Sequence, residues 1–297
     1  MKKPTIPVFL SCIFALLPVC TYGGDIIAPD AKVEKLADGF QFTEGPAADP
    51  EGNVYFTDQP NDRIMKWNID GTVETFLQPS GRSNGLYFDN GFLYSCADDK
   101  NELWKINPTT KEVTVLIKEY EGKLLNGPND LWIHPNGGIY FTDPFYKRTW
   151  WEHDTMPQDR QNVYFLTPDY KSIKKVDDNL VQPNGIIGTP DGRKLYVADI
   201  RDKKTYVYTI NEDNTLRDRQ LFCEMGSDGM TIDNQGNIYL TGNGVTVFNS
   251  QGEQIEHIAI DEPWTANITF GGSENNLLFI TASKGIYGVQ MKVTGAR

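Results

Sequence analysis

The chain has 297 residues, 40 acidic and 28 basic side chains and a formal net charge of −12 at pH 7. An acidic surface of that size disfavours nucleic acid and anionic membranes as partners and favours solubility and the attraction of cations. With 27 Gly, 17 Pro and 12 % aromatic residues, the composition fits one large all-β domain, a class that exceeds the usual domain length without splitting.

In chain order, Lys2 and Lys3 precede the apolar run Val8–Leu17, which reads as an export leader over residues 1–20, too short to span a bilayer as a mature helix. Leu17-Pro18-Val19-Cys20 loosely matches a lipobox. It predicts an exported protein, periplasmic or lipid-anchored to a bacterial membrane at Cys20, with simple cleavage nearby as the alternative. No other apolar stretch reaches transmembrane length. Residues 21–30 read as a flexible lead-in, and 31–297 as one propeller. The first strand of that domain, within Ala31–Gly39, has no repeat unit of its own. Val33–Leu36 is therefore predicted to complete the last blade and close the ring, which removes an exposed sheet edge.

The remainder repeats one phrase six times: DPEGNVYFTD at 49–58, FDNGFLYSCADD at 88–99, IHPNGGIYFTDP at 133–144, TPDGRKLYVADI at 189–200, IDNQGNIYLTGN at 232–243 and, more loosely, FGGSENNLLFITAS at 270–283. Each copy is a polar turn, a β-branched and aromatic run, and a polar stop. Anchored on Tyr55, Tyr94, Tyr140, Tyr196, Tyr239 and Phe279, the copies fall 39 to 56 residues apart. A period near 40–45 with several short strands per unit is the signature of a β-propeller, so the six copies predict a six-bladed all-β propeller. Ten to twelve residues before each anchor stand Glu44, Asn84, Asn129, Asn184, Asp228 and Asn267. Equivalent positions at the start of innermost strands surround the channel. The six side chains therefore predict a ring of acid and amide oxygens suited to a hard divalent cation rather than to structural zinc. Any one of them alone reads as an ordinary turn residue; six in phase favour the ring.

The widest spacing contains an insertion, Phe145–Asn162, with two Trp, a Tyr, a His and mixed charges. It reads either as a wall over one channel mouth or as a loop packed on a neighbouring blade. His153, within it, is the histidine with a claim to the pocket; His134 and His257 read as surface and structural residues. Asp143, Asp199 and Tyr146 end inner-sheet strands or open the insertion and are second-rank rim candidates. No G-x-S-x-G elbow, P-loop or dinucleotide fingerprint is present. Cys96 and Cys223 fall in distant units and read as buried thiols rather than a disulfide.

TEGPAADPEGNVYFTD, LNGPNDLWIHPNGGIYFTDP, QPNGI, SDGMTID and ANITFGG resemble the gluconolactonase branch of the gluconolactonase, regucalcin and luciferin-regenerating-enzyme family, over nearly all the chain beyond the leader. The resemblance implies a six-bladed propeller with one divalent cation in the channel, most often Ca2+, with Zn2+, Mg2+ or Mn2+ as alternatives. It implies Glu44, Asn129, Asn184 and Asp228 as metal ligands, Asp228 also as proton acceptor, and Asn129 as a substrate contact. Asn84 and Asn267, outside that set, are expected to orient substrate hydroxyls or water. Regucalcin-like members carry an Arg two residues before Asn129; Gly127 stands here, so sugar preference does not transfer. The implied activity is hydrolysis of a sugar or related small lactone. The alternatives are another lactonase or organophosphate-type esterase activity on the same site, and a non-catalytic propeller using the metal to hold carbohydrate.

Overall fold

The computed structural model describes residues 26–296; the expected leader, Cys12 and Cys20 lie outside the described residues. Six four-stranded antiparallel sheets are arranged as the blades of a β-propeller. The first blade shows the pattern. Its strands are Thr43–Ala48, Val54–Asp58, Arg63–Trp67 and Val73–Leu77, in that order from the channel outward. The first strands of successive blades, Thr43–Ala48, Ser83–Asp89, Leu131–Ile133, Pro183–Gly188, Met230–Ile232 and Thr265–Gly271, neighbour one another in a closed cycle. The only helical turn among the described residues is Gln59–Asn61, and no helix there is long and apolar enough to cross a membrane.

The Tyr-Phe pair in the second strand explains the stacking of blades. Side chains alternate across a strand with period two, so Tyr55 and Phe56 leave by opposite faces. Tyr55 stacks on Phe88 of the second blade at 6.1 Å, while Phe56 meets Phe279 of the sixth at 5.9 Å. Both faces of the sheet are thus buried, which is why the run is continuously apolar rather than alternating. Phe56 and Phe279 are fully buried, and truncating either to Ala is expected to cost about 3–5 kcal/mol.

Closure follows the predicted route. Glu34–Asp38 pairs antiparallel with Gly285–Gln290, with Glu34 opposite Gly288 and Asp38 opposite Gly285. The lead-in is more ordered than expected at its end. Ile26 is buried, Ile27 bridges Met291, and the Ala28 amide donates to the Gln290 carbonyl at 3.0 Å. The described N-terminal end is thus tied to the sixth blade, while the described C-terminal end also bridges to the fifth, with Gly295 opposite Asp233. Cys96 and Cys223 are buried free thiols.

The insertion contains no strand before Asn162, yet it is anchored. Gln158 Nε2 donates to the carbonyls of Tyr120, Lys123 and Leu124, and the Gln158 amide donates to Asn126 Oδ1 at 2.9 Å. Its partner there is a two-residue hairpin, Glu119–Tyr120 with Lys123–Leu124, which the repeat pattern does not announce.

Candidate active site

The channel is organised in layers, because each first strand contributes one residue per level. Three threonines at the same place in the second strands define the upper level. Thr57 Oγ1 donates to the Asn84 carbonyl at 3.0 Å, Thr142 Oγ1 to that of Asn184 at 2.7 Å, and Thr241 Oγ1 to that of Ala266 at 2.8 Å. The upper level is therefore Glu44, Asn84, Asn129, Asn184, Asp228 and Ala266. Five predicted ring residues occupy it. Asn267 stands one residue further along, in the level beneath, where Gly45, Gly85, Asp130, Gly185 and Gly229 fill the other places. The run from Ala266 to the anchor Phe279 is 13 residues, against 10 to 12 in the other blades, which produces the offset.

The upper residues are buried, except for the half-buried Asp228, yet much of their hydrogen-bonding capacity is uncommitted. Asn184 Nδ2 donates to Asp228 Oδ1 and to the Tyr146 hydroxyl, both at 2.8 Å. Its Oδ1 is buried without any partner among the described residues, an omission that costs about 1–3 kcal/mol unless something fills it. Glu44 accepts the Gly45 amide at 2.9 Å and interacts with the Asn267 side chain. Asp228 Oδ2 accepts the indole N–H of Trp264 at 2.7 Å.

Burial and the neighbouring Asp228 charge drive the Glu44 carboxyl well above its usual range. Burial also pushes Asp228 up to about 6, against the opposing pull of Trp264, Asn184 and the Arg148 charge. A buried carboxyl raised by its neighbour's charge, beside an orphaned amide oxygen, is what a hard cation would stabilise. The donors are oxygens throughout, and no cluster of three or more His, Cys, Asp or Glu in metal-binding array occurs among the described residues. The set fits a calcium-like ion held jointly by carboxylate and amide.

The remaining predicted residues divide. Tyr146 reaches the ring through Asn184. Asp143 does not line the rim: it is buried, and its two oxygens accept the amides of Asn126 and Gly127, each at 2.9 Å. Burial pushes its carboxyl up to about 7 despite those donors. Asp199 is spent the same way on Val181 and Gln182, at 2.6 and 3.0 Å. His153 stacks on Trp151 at 4.8 Å, with its Nε2 buried and unpartnered, and it touches no ring residue. Asn129 contributes an amide at the upper level with no side-chain partner, and so does Asn84. His134 and His257 are structural, accepting or donating to Gly192, Asn136 and Thr246.

Sequence reasoning missed three residues: Trp264, Asp130 and Asp98. Asp130 is buried below the ring and pushed by burial up to about 8. Trp264 lies in a loop outside the repeat. The misplaced sixth position had a usable signal, since Thr43, Ser83, Pro128, Pro183, Ser227 and Thr265 each immediately precede the true ring residue. Gly127 admits no side chain: a Cβ there would meet Trp151 at 2.9 Å and Asp98 Oδ1 at 3.0 Å.

A six-bladed propeller with a buried oxygen-rich site at one channel mouth is the class that fold and site define. The chain belongs to the SMP-30/Gluconolactonase/LRE-like family, whose model matches residues 42–284. It is 30 % identical over 300 residues to a gluconolactonase of Zymomonas mobilis, with 91 % of this chain and 84 % of that protein covered. A solved gluconolactonase from Xanthomonas campestris superposes with a TM-score of 0.83 and 28 % identity, covering 90 % of this chain and 91 % of the other. A regucalcin from Agrobacterium tumefaciens shares the fold at TM-score 0.74 and 18 % identity, over 91 % and 96 % of the two chains.

Proposed function

We propose that the protein is a metal-dependent hydrolase of sugar or related small lactones. The observation that carries this reading is the upper ring, where Asp228 is gripped by Asn184 and Trp264 beside oxygens left uncommitted. The gluconolactonase names of the relatives support it.

Glu44, Asn129, Asn184 and Asp228 would hold the cation. When bound, a divalent ion there supplies a Lewis acid for the lactone carbonyl and stabilises the negative charge that develops on its oxygen. The chain's own groups do the rest. Asp228 takes the proton of the attacking water and returns it to the ring oxygen as the lactone opens. Trp264 and Asn184 each bond one of its oxygens, which fixes the carboxylate plane. Beside a bound cation Asp228 favours its ionised form, the form that can accept a proton at neutral pH. Asn84 and Asn129 are left to orient hydroxyls or water, and Tyr146 covers Asn184 from the insertion side.

The test is a pH-stat assay with glucono-δ-lactone on calcium-loaded and chelated protein, repeated with Asp228→Asn. Loss of opening on chelation and in the variant is expected. Full turnover in either would end this reading, and tight lactone binding with no opening would make the chain a carbohydrate-binding propeller instead.

A further inference from the structure

Three second strands end in an aspartate at one structural position, Asp58, Asp143 and Asp199; the second blade has Ala97 there, with Asp98 one residue beyond. In three blades the carboxylate has the same job, which is to accept backbone amides of the loop that feeds its own blade. Asp58 takes Gln41 and Phe42, Asp143 takes Asn126 and Gly127, and Asp199 takes Val181 and Gln182. The second blade breaks the rule. There Asp62 does that work, accepting the amides of Ser80 at 3.0 Å and Arg82 at 2.7 Å. Asp98, one residue past that position, is left free of the job while staying buried.

What this carboxylate holds is an arginine from the insertion. Asp98 Oδ2 accepts Arg148 Nε at 2.8 Å and Gln59 Nε2 at 3.3 Å, and the Asp98 carbonyl accepts the Trp151 indole N–H at 2.7 Å. The guanidinium lies 5.3 Å from the centre of the Tyr146 ring and 5.4 Å from that of Trp150. Only its Nε is committed. Nη1 and Nη2 hydrogen-bond nothing among the described residues, and the Arg148 side chain keeps 20 % of its surface open. The same Tyr146 whose ring carries Arg148 points its hydroxyl at Asn184. The guanidinium therefore sits about one tyrosine's length from the ring oxygens, and a six-carbon lactone with its carbonyl at the ring would extend toward it.

We propose that Arg148, positioned by Asp98, is the specificity residue that hydrogen-bonds the hydroxyls on the non-reacting end of the lactone. The inference rests on the lactonase reading and adds to it the residue that selects hydroxylated lactones over unsubstituted ones. Hydroxyls suit this site better than an anionic substituent, because the Asp98 carboxylate already balances the guanidinium charge. Two free N–H2 groups in a rigid plane match vicinal hydroxyls, and stacking on Tyr146 and Trp150 limits the entropy lost on binding. Asp98 touches no substrate; it is a positioning residue.

The experiment compares kcat/KM for glucono-δ-lactone and for δ-valerolactone, which lacks hydroxyls, in the full calcium-loaded chain and in Arg148→Lys and Asp98→Asn. Arg148→Lys should lower the ratio of the two values at least tenfold, since hydrogen bonds to a charged group are worth about ten- to a hundredfold. The loss should fall on KM for the hydroxylated lactone. Asp98→Asn should reproduce that KM effect; if it fails to fold, Arg148→Lys decides alone. A ratio within twofold of wild type in Arg148→Lys overturns the assignment. Should wild type open neither lactone, the lactonase reading fails by itself. Gluconate binding by calorimetry then judges Arg148: tenfold weaker binding in Arg148→Lys supports the assignment, and equal binding overturns it.

Discussion

Two adjacent levels of the channel both carry acid and amide side chains and come out with opposite characters. In the lower level every oxygen is engaged: Asp130 Oδ1 accepts the Leu131 amide, Asp130 Oδ2 accepts Asn267 Nδ2, and Asn267 Oδ1 accepts the Ile268 amide. In the upper level Asn184 Oδ1 has no partner, and the side chains of Asn84 and Asn129 make no hydrogen bond among the described residues. One residue step separates the two. The glycines enforce it, since a Cβ on Gly45 would meet the Asn84 carbonyl at 2.1 Å and one on Gly229 would meet Asn267 at 2.0 Å. Residue chemistry alone does not mark a site. Uncommitted capacity does, because a buried polar group without a partner is costly unless a ligand completes it.

The sharpest way to break this contrast is to exchange one atom in each level. Asp228→Asn should reduce lactone turnover by about 10³-fold or more, measured by pH-stat, with an unchanged circular-dichroism spectrum. Retained activity would place the chemistry elsewhere. Chelation comes next: if the upper level holds a cation, its removal should lower the melting temperature by roughly 5–10 °C when the ion is near a hundredfold over its dissociation constant. An unshifted calorimetric melt with and without EDTA would deny the cation a home there.

Asp143→Ala separates bracing from chemistry. It strands two buried amides at about 1–3 kcal/mol each, so urea unfolding should show a loss of about 3 kcal/mol while the folded fraction keeps its KM. A tenfold change in KM would return Asp143 to the rim.

Trp264→Phe is expected to be milder, about a tenfold loss in kcat/KM. The indole N–H lowers the Asp228 pKa, so its removal favours the protonated form. The acid limb of the rate profile should then move to higher pH, and a shift to lower pH would refute the contact. Asn267→Ala should have the smallest effect, under tenfold on kcat and about 1 kcal/mol on stability, because its oxygen already serves Ile268. A loss as deep as that of Asp228→Asn would erase the distinction between the levels.

The contrast also shows where reading the chain runs out. The blade count was legible because period-two patterning recurs at a nearly constant interval, and Val33–Leu36 was legible as the closing strand because the last unit is one strand short. Asn267 was placed one level too high because the sixth copy is the loosest and its turn is longer, so the true ring position, Ala266, falls 13 residues before the anchor and carries no polar side chain to mark it. Asp98 falls one residue past the place that Asp58, Asp143 and Asp199 hold in their repeats, where Ala97 stands, and only the structure shows that it meets Arg148 while Asp62 takes the Ser80 and Arg82 amides. Trp264 belongs to no repeat, and its loop is carried to Asp228 by the cyclic arrangement of blades.

By itself the sequence determined the architecture and the oxygen chemistry of the channel, since both follow from patterns that repeat along the chain: alternation sets the faces and phase sets the level. Which oxygens stay uncommitted, and which aspartate is free to hold an arginine, was decided only by tertiary structure. Those outcomes depend on contacts between residues 36 to 137 positions apart, such as Trp264 with Asp228, Arg148 with Asp98 and Asn267 with Asp130, and closing the ring is what brings such groups within hydrogen-bonding reach.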